Sequence, residues 1–287
     1  MYKRQVYALR QAAKRGVNVR VFVDMSKKQA VSKLFEGSLV SLIFPNENSN
    51  FADRFYYMHH KMVVIDNATV YLGSNNLTNL QIDIDNGYMW RSQNTELIAL
   101  FAPEIESLAD GVSGFDKISL TYNPYLGELV ADDYFFRVWR TPGVSNFNTR
   151  EQVIELIKNS EDSIDLMMWY FSDAKIFRAL QMAASRGVNV RLLWDAKAAG
   201  YDESFLNLVQ SFAVVNKNFD LRLIKNENIG RFETFFHFHT MQVDSNELVF
   251  GTNNWSNNGF FFNDEMTMFT NNKDLNTQMQ HVLEKYL

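Results

Sequence analysis

The sequence predicts an α/β protein made of two pseudo-symmetric repeats, each a mixed β-sheet sandwiched between helices. Residues 8–24 (ALRQAAKRGVNVRVFVD) align without gaps on residues 179–195 (ALQMAASRGVNVRLLWD), with identity at 11 of the 17 positions. A histidine, an aspartate seven residues later and a glycine seven residues after that occur once in each half. Long-period self-similarity indicates a duplicated unit, and alternating helical and strand patterns predict helices layered on a sheet.

The predicted elements follow the same order in both halves. Apolar residues at helical spacing alternate with short runs rich in β-branched and aromatic residues. The predicted helices are residues 3–15 and 28–36 in the first half, and 173–186 and 203–212 in the second. The predicted strands are VNVRVFVD, VSLIF, HKMVVID and TVYLG in the first half, and VNVRLLWD, LRLIK, HFHTMQVD and ELVFG in the second.

The second copy contains two segments that have no counterpart in the first. A helix-like stretch, EQVIELIKNS, and an apolar strand-like run, SIDLMMWYF, precede Ser172, which aligns with Met1. We therefore expect the chain to begin inside its first repeat, which lacks its N-terminal helix and central strand. The predicted division is a first repeat at 1–120, crossover loops at 121–148 and a second repeat at 149–287; the loops fall in a stretch rich in Gly, Pro, Asp and Asn.

Composition excludes several classes of protein. The chain has 46% hydrophobic and 21% charged residues, as expected of packed globular domains. The absence of cysteine excludes a disulfide scaffold, a thiolate nucleophile and a cysteine-based zinc site. A net charge of −5 argues against a protein that coats nucleic acid, because such binding depends on many Lys and Arg contacts to phosphate. No apolar run approaches the roughly 18 residues that span a bilayer.

Four of the five histidines fall in two short windows, which mark the candidate site. Residues i and i+2 of a strand project to one face, so His59 shares a face with Lys61, and His237 with His239. An aspartate and a Gly-Ser/Thr-x-Asn turn follow each pair. The set is His59, Lys61, Asp66, Gly73, Ser74 and Asn76, and then His237, His239, Asp244, Gly251, Thr252 and Asn254. Glycine permits a tight turn, and hydroxyl and amide groups donate to anionic oxygens, so the pattern indicates phosphoryl chemistry.

This pattern resembles the signature of the phospholipase D superfamily, the HKD phosphodiesterases. In that signature His-x-Lys is followed after four residues by Asp and then by Gly-Ser-x-Asn, and residues 59–76 match it at every position. An Asn-x-Glu, also typical of the family, occurs as Asn94 to Glu96 and as Asn263 to Glu265. The likeness covers nearly the whole chain and is to the two-repeat bacterial type, similar to phospholipase D-like and cardiolipin synthase-like proteins.

The resemblance implies a reaction in two displacements that needs no metal and no cofactor. One motif histidine attacks phosphorus to form a phosphohistidine, and the other protonates the leaving alcohol. Water or another alcohol then takes the phosphoryl group. By resemblance His59 is the nucleophile and His237 is the acid. The implied catalytic set is His59, Lys61, Asp66, His237, His239 and Asp244.

The remaining motif residues can be given supporting roles. Lys61 supplies fixed positive charge to the phosphate, and Asn76 and Asn254 donate to its non-bridging oxygens. Ser74 and Thr252 are predicted to belong to the same phosphate-binding set and to shape the turns. Either the glutamates or the motif aspartates accept from the far nitrogen of a histidine and fix its tautomer. The candidates for this role are Glu96, Glu265, Asp66 and Asp244, and the sequence leaves the choice open.

His239 departs from the family pattern, because it stands where the second lysine is expected. A histidine with an ordinary pKa of about 6.5 is only partly charged at neutral pH. Three alternatives follow: an active enzyme that works best at mildly acidic pH, an enzyme with a remodelled pocket, or a repeat that is losing its activity. Because His237 and His239 share a face, a metal site is a further alternative, but we predict none since the family is metal-independent.

The predicted substrate is a phosphodiester, and the acidic balance and 14% aromatic content favour a phospholipid or another small phosphodiester. Nucleic acid is the alternative, because the same motif cleaves DNA in other relatives; hydrolysis and phosphatidyl transfer are both open. A non-catalytic phosphate-binding module is the competing hypothesis. Peripheral membrane contact through Phe260, Phe261 and Phe262 is weighed against burial of these side chains. We expect a monomer, because both half-sites lie in one chain.

Overall fold

The computed structural model describes residues 3–45, 57–78, 84–118, 123–143, 148–229 and 232–287. The helices are α1 (Lys3–Lys14), α2 (Lys28–Phe35), α3 (Thr95–Ala99), α4 (Ala102–Ala109), α5 (Phe115–Ile118), α6 (Thr149–Asn159), α7 (Ala174–Arg186), α8 (Ala196–Ala199), α9 (Glu203–Val215), α10 (Asn257–Phe261) and α11 (Lys273–Glu284). The strands are β1 (Arg20–Phe22), β2 (Ser41–Ile43), β3 (Met62–Ile65), β4 (Thr69–Gly73), β5 (Met89–Ser92), β6 (Tyr125–Val130), β7 (Phe135–Arg140), β8 (Ser163–Met168), β9 (Asn189–Asp195), β10 (Phe219–Ile224), β11 (Asn228–Ile229), β12 (Phe232–Glu233), β13 (His239–Val243), β14 (Glu247–Gly251) and β15 (Met266–Thr270). In these described ranges no helix is both long enough and apolar enough to cross a membrane.

The second repeat is organised around one eight-stranded mixed sheet. The strand order is β10-β9-β8-β13-β14-β15-β7-β6, in which β10, β9 and β8 run parallel and the other neighbours are antiparallel. Strand β8 is almost completely buried, because its apolar side chains contact neighbours on both faces of the sheet. The α/β architecture of two repeats is therefore confirmed.

Helix α7 shows how the duplicated sequence sets the bounds of an element. Asp173 caps its start, because its carboxylate accepts from Lys175 N and Ile176 N, at 3.0 Å each. Gly187 ends it with a φ of 105°, and Gly16, at the matching position of the first repeat, has a φ of 91°. Side chains with a Cβ are strained in this left-handed region. The repeated Arg-Gly-Val-Asn thus turns each helix into the strand that follows.

The described part of the first repeat contains two small sheets where one mixed sheet was predicted. Strands β1 and β2 pair in parallel, and β3, β4 and β5 form an antiparallel sheet. In the second repeat β8 lies between β9 and β13. It thereby joins the strands that correspond to these two small sheets into one sheet. No described residue of the first repeat occupies that position. The two groups of strands are therefore separate sheets in the described part of this repeat.

The segment predicted as crossover loops contributes two strands to the large sheet. Strand β6 pairs with β7, and β7 pairs with β15. The Gly, Pro, Asp and Asn residues around these strands hide the strand pattern in the sequence. Phe136 and Val138 of β7 pack with Leu72 of β4 and Phe250 of β14, so the added strands belong to an apolar core shared by both repeats. The repeat boundaries themselves stay a prediction.

Two short backbone bridges connect the repeats reciprocally. Met58 pairs in parallel with Asp264, and Phe236 pairs in parallel with Asn86. Met58 and Phe236 are 178 positions apart in the sequence, and so are Asn86 and Asp264. Each motif-bearing segment is therefore held by the other repeat, immediately before its first histidine.

Candidate active site

The motif histidines lie at the start of two equivalent strands, and the motif aspartates lie at the other ends. Asp66 and Asp244 begin the two-residue turns of the β3–β4 and β13–β14 hairpins, with φ of 53° and 51°. Seven residues of extended chain span roughly 20 Å. The structure therefore contradicts the catalytic role predicted for Asp66 and Asp244, because neither carboxylate reaches its motif histidine.

Asp244 has a structural function instead. Its Oδ1 accepts from Asp162 N at 2.8 Å and from Ser163 N at 2.9 Å, and its Oδ2 accepts from Glu161 N at 3.1 Å. These bonds attach the β13–β14 turn to the chain that enters β8. The aspartate of the motif thereby fixes two neighbouring strands at the end of the sheet remote from the histidines.

The imidazole of His59 is oriented by Glu265 from the second repeat. Its Nδ1 lies 2.8 Å and 3.0 Å from the two carboxylate oxygens. Burial favours a raised pKa for Glu265, but the contact with His59, together with Lys61 and the Thr252 hydroxyl, outweighs burial and brings the pKa below its ordinary value. An ionised carboxylate accepts the Nδ1 proton, so Nε2 presents its lone pair. The carboxylate of Glu265 thus fixes the orientation of the His59 ring.

Glu265 is itself held by two further donors. Thr252 Oγ1 donates to Oε2 at 2.6 Å, and Asn263 Nδ2 donates to Oε1 at 3.1 Å. The Thr252 hydroxyl also accepts from Met266 N at 3.0 Å, so its single proton is committed to the carboxylate. Thr252 is fully buried. It positions Glu265, and its predicted contact with phosphate stays a prediction.

The Gly-Ser and Gly-Thr pairs allow the next strand to approach closely. Ser74 is fully buried, and its Oγ accepts from Tyr88 N at 3.1 Å; its predicted contact with phosphate stays a prediction. A Cβ on Gly73 would lie 2.2 Å from the carbonyl oxygen of Tyr88, and one on Gly251 would lie 2.0 Å from that of Met266. Glycine is therefore required by the approach of another backbone and not by a tight turn.

Lys61 is buried beside His59. Its Nζ donates to the carbonyl oxygen of His59 at 2.7 Å. Burial lowers the pKa of Lys61 to about 8, and the negative charge of Glu265 limits that fall. The ammonium therefore keeps its charge at neutral pH. We call His59, Lys61 and Glu265 the charged half-site.

The pseudo-symmetry identifies the residue that corresponds to Glu265 in the first repeat. The step of 178 positions that relates the two bridges relates Glu265 to Gly87. A Cβ on Gly87 would lie 1.9 Å from Oδ1 of Asn75, so the Asn75 amide fills the space beside this backbone. The second half-site therefore has no equivalent of the glutamate that orients His59. Sequence reasoning missed Gly87, although the repeat offset alone identifies it.

The Asn-x-Glu match at residues 94–96 is not the counterpart of Asn263 to Glu265. Asn94 caps α3 by accepting a backbone N–H at 2.9 Å, and Asn272 caps α11 in the same way at 3.1 Å. Asn94 therefore corresponds to Asn272. Glu96 is exposed in the first turn of α3. The predicted supporting role of Glu96 is contradicted, while Glu265 contacts His59 directly.

His237 and His239 lie in an apolar environment. Their rings meet edge to face with centroids 5.1 Å apart, and Trp169 packs edge to face on His237 at 5.0 Å. Within the described part of the chain, Nδ1 of His237 and both ring nitrogens of His239 are buried without a hydrogen-bond partner. We call His237, His239 and Gly87 the neutral half-site.

Burial and neighbouring charges keep both of these histidines unprotonated. For His237, burial is the main cause of a pKa well below the ordinary value, and the charges of Lys61 and His59 add to it. For His239, burial lowers the pKa first, followed by His237, Lys61 and His59. Both causes disfavour a charged His239 in the place of the lysine. They weigh against the first of the three alternatives for His239, which stays a prediction with the other two.

A buried charge cluster holds the backbone that carries Glu265. The cluster consists of Glu104, Asp264, Lys117, Arg140 and His60. Glu104 accepts from Lys117 Nζ at 2.5 Å, from Arg140 Nη1 at 3.0 Å and from His60 Nε2 at 2.7 Å. Burial favours a raised pKa for Glu104, but these cations lower it to about 2. Lys117 also contacts Asp264 at 2.6 Å, next to Glu265.

The remaining predictions concern two loop asparagines, a phenylalanine and a metal site. Asn76 and Asn254 are half-buried in the loops after β4 and β14, and their contact with phosphate stays a prediction. Phe260 is fully buried, which agrees with the burial weighed against membrane contact for this side chain. In the described ranges, no group of three or more His, Cys, Asp or Glu is arranged to hold a metal ion.

Comparisons with known proteins agree with this geometry. Residues 2–109 and 153–287 match the family described as "Cardiolipin synthase, PLD-like domain". A cardiolipin synthase of Clostridium perfringens is 24% identical in an alignment 303 residues long. The alignment covers 99% of this chain and 62% of the relative. The major cardiolipin synthase ClsA of Bacillus subtilis is 27% identical over 282 residues, covering 91% of this chain and 56% of the relative. The chain thus spans about three fifths of the length of these relatives.

Solved structures show the same fold at low sequence identity. The phosphatidylserine synthase of Haemophilus influenzae Rd KW20 superimposes with a TM-score of 0.65 at 13% identity, covering 96% of this chain and 75% of that chain. A polyphosphate kinase from Porphyromonas gingivalis superimposes with a TM-score of 0.60 at 13% identity, covering 99% of this chain and 40% of that chain. The family match accounts for most of the chain and for both motif windows. The resemblance expected from the sequence is confirmed: this chain belongs to the PLD-like domain family of the phospholipase D superfamily.

Proposed function

We propose that the chain is a phospholipase D-like phosphodiesterase that acts through a phosphohistidine on His59. The observation that carries this proposal is the pair of hydrogen bonds, 2.8 Å and 3.0 Å long, between His59 Nδ1 and the carboxylate of Glu265. It leaves Nε2 unprotonated and able to attack. The charged Lys61 lies beside it, where a phosphate would bind.

The first displacement uses all three members of the charged half-site. His59 Nε2 forms a bond to phosphorus as the bond from phosphorus to the leaving oxygen breaks. Positive charge develops on the imidazole, and Glu265 stabilises it through the retained Nδ1 proton. The Lys61 ammonium offsets the negative charge of the phosphate oxygens. In the second displacement, the oxygen of water or of another alcohol attacks phosphorus and releases His59.

A phospholipid is the substrate class that we favour. The curated relatives are named cardiolipin synthases, so transfer of a phosphatidyl group to an alcohol stands beside hydrolysis. The net charge of −5 supports a lipid over nucleic acid, because DNA binding depends on many basic contacts. Nucleic acid is the alternative substrate class, and peripheral contact with a lipid surface follows from a phospholipid substrate.

The second candidate is a phosphate-binding protein that no longer turns over. It is favoured by the neutral half-site, in which a histidine replaces the expected lysine and Gly87 replaces a glutamate. Such a protein retains Lys61 for phosphate binding but forms no covalent intermediate.

Hydrolysis of bis(p-nitrophenyl) phosphate at pH 7, with and without a chelator, separates the two candidates. We expect turnover that His59→Gln lowers by at least about 10³-fold, because the nucleophile is lost. His281→Gln, a change at an exposed histidine of α11, is the matched control. An alkaline quench followed by peptide mass spectrometry should locate the phosphoryl adduct on His59.

Three results count against the proposal. Turnover that survives in His59→Gln, turnover abolished by the chelator, and the absence of any adduct each exclude the mechanism. Saturable binding of phosphate without turnover supports the phosphate-binding candidate. Parallel incubations with phosphatidylglycerol vesicles and plasmid DNA distinguish the substrate classes.

A further inference from the structure

The neutral half-site lies where the leaving group departs, if the proposed function is right. In-line displacement places the attacking and leaving atoms on opposite sides of phosphorus. Because His59 is the nucleophile, His237 faces the leaving oxygen from the other repeat. The properties of His237 therefore decide which leaving groups the site can release.

His237 is poorly equipped to protonate a leaving alcohol. A general acid must begin protonated, and a carboxylate on the far ring nitrogen supports that state, as Glu265 does for His59. At the equivalent position Gly87 has no side chain. Nδ1 of His237 is buried with no hydrogen-bond partner among the described residues, and Trp169 contributes only an aromatic edge at 5.0 Å. The charged group that faces His237 is Lys61, which opposes its protonation.

We infer that, within the proposed phosphodiester class, this site is specialised for substrates whose leaving group departs as a stable anion: a phosphatidyl group joined through a phosphoanhydride, for which aryl phosphodiesters serve as model substrates. A phosphate monoester released from an anhydride has a second pKa of about 6. A phenol has a pKa of about 10, like tyrosine. An alcohol is near water, at about 16. The first two leave with little or no help from an acid, whereas an alkoxide requires a proton as it departs.

The steps balance without a protonated His237. In the first step His59 Nε2 supplies the electron pair of the new phosphorus–nitrogen bond, and the leaving oxygen departs with the electron pair of the broken bond as an anion. In the second step an alcohol or water attacks phosphorus and gives its proton to the unprotonated imidazole of His237. The phosphorus–nitrogen pair returns to His59, and His237 releases its proton to solvent. His237 therefore acts as a base in the second step and not as an acid in the first.

The test is the rate of adduct formation on His59 at pH 7 for a matched series of substrates. The probes are methyl p-nitrophenyl phosphate, methyl phenyl phosphate, dimethyl phosphate and a methyl phosphate anhydride of AMP. General acid catalysis contributes about 10² to 10⁴ in rate. We expect the anhydride and the p-nitrophenyl ester to form adduct readily and dimethyl phosphate to fall below detection. Similar rates for p-nitrophenyl and methyl leaving groups, within tenfold, would overturn the inference.

A double variant, Gly87→Glu with His239→Lys, provides an independent arm. It restores both groups that the neutral half-site lacks, and Asn75→Ala can be added to make room for the new side chain. We expect a gain of at least about 10² on methyl phenyl phosphate and less than tenfold on the p-nitrophenyl ester. An equal gain on both esters contradicts the inference. If the variant does not fold, the wild-type series still decides.

The outcomes separate this inference from the proposed function. His59→Gln is run with every probe. If adduct forms on His59 at rates that do not depend on the leaving group, only the inference about leaving groups is refuted. The absence of adduct with all probes, or rates unaffected by His59→Gln, removes the phosphohistidine mechanism itself.

Discussion

Replacing Glu265 by glutamine should disable His59 without changing the shape of the site. The carboxylate accepts from His59 Nδ1, Thr252 Oγ1 and Asn263 Nδ2. If the new amide oxygen faces His59, the amide nitrogen faces Thr252, whose hydroxyl proton loses its acceptor. In the opposite orientation the amide nitrogen faces Nδ1, and the ring proton moves to Nε2. The lone pair then no longer points to phosphorus.

The magnitude follows from the loss of charge and the wrong tautomer. In a serine protease triad, the corresponding change from Asp to Asn lowers kcat by about 10⁴. For Glu265→Gln we expect a fall of about 10² to 10⁴ in the rate of adduct formation. At about 1.4 kcal/mol per tenfold, this corresponds to roughly 3 to 5 kcal/mol of lost transition-state stabilisation.

Single-turnover release of p-nitrophenol at pH 7 measures this rate directly, and ¹⁵N chemical shifts of His59 report its tautomer. Glu96→Gln is the matched control, because Glu96 is exposed on α3 and remote from the histidines. We expect no change in its rate. A Glu265→Gln rate within threefold of the wild type, or equal losses in both variants, would refute the role assigned to Glu265.

Three further predictions concern charge. The rate should fall as pH rises through about 8, where Lys61 loses its proton, and Lys61→Arg should remove this limb from the kcat/KM profile because guanidinium stays charged. The free energy of unfolding should decrease as pH falls below about 6.5, because His237 and His239 protonate more readily in the unfolded chain than in the folded one. Urea titrations from about pH 7.5 to about pH 5 should show a shallower decline of this free energy for His239→Gln. Asp244→Asn should lower stability by about 1 to 2 kcal/mol through its backbone bonds, while Asp66→Asn leaves the urea midpoint unchanged.

The sequence predicted the two-repeat fold and the histidines because both depend on local spacing. Alternation along a strand places His59 with Lys61 on one face, and the duplicated Arg-Gly-Val-Asn predicts where each helix ends. Strands β6 and β7 were missed because pairing with β15 creates them, and flanking loop residues mask their pattern. The single sheet predicted for the first repeat fails for a related reason: no described residue there takes the position of β8.

The carboxylate partner of His59 required tertiary information. The sequence offered four acidic residues as the partner of His59 and gave no reason to choose among them. The bridge between Met58 and Asp264 brings Glu265 to the His59 ring. The Asn94 to Glu96 pattern was misleading because a helix cap and a catalytic segment share the same two residue types at the same spacing. Asp66 and Asp244 follow their histidines at a fixed distance because a strand of fixed length separates them. The spacing therefore reports hairpin geometry and not proximity.

The neutral half-site has His239 in place of a lysine and Gly87 in place of a glutamate, and these two departures are physically coupled. In the charged half-site, Lys61 and Glu265 are both buried, and each offsets the other's charge. Removing one member of a buried pair leaves an uncompensated charge, which typically costs about 3 to 5 kcal/mol, whereas replacing both by neutral groups avoids this cost. His239 and Gly87 are such a neutral combination. Fold stability can therefore be retained without the second charged pair, and the chemical cost falls on the leaving-group side. The asymmetry fits the proposed mechanism, in which the charged half-site keeps the carboxylate that orients His59 and the opposite histidine has none among the described residues.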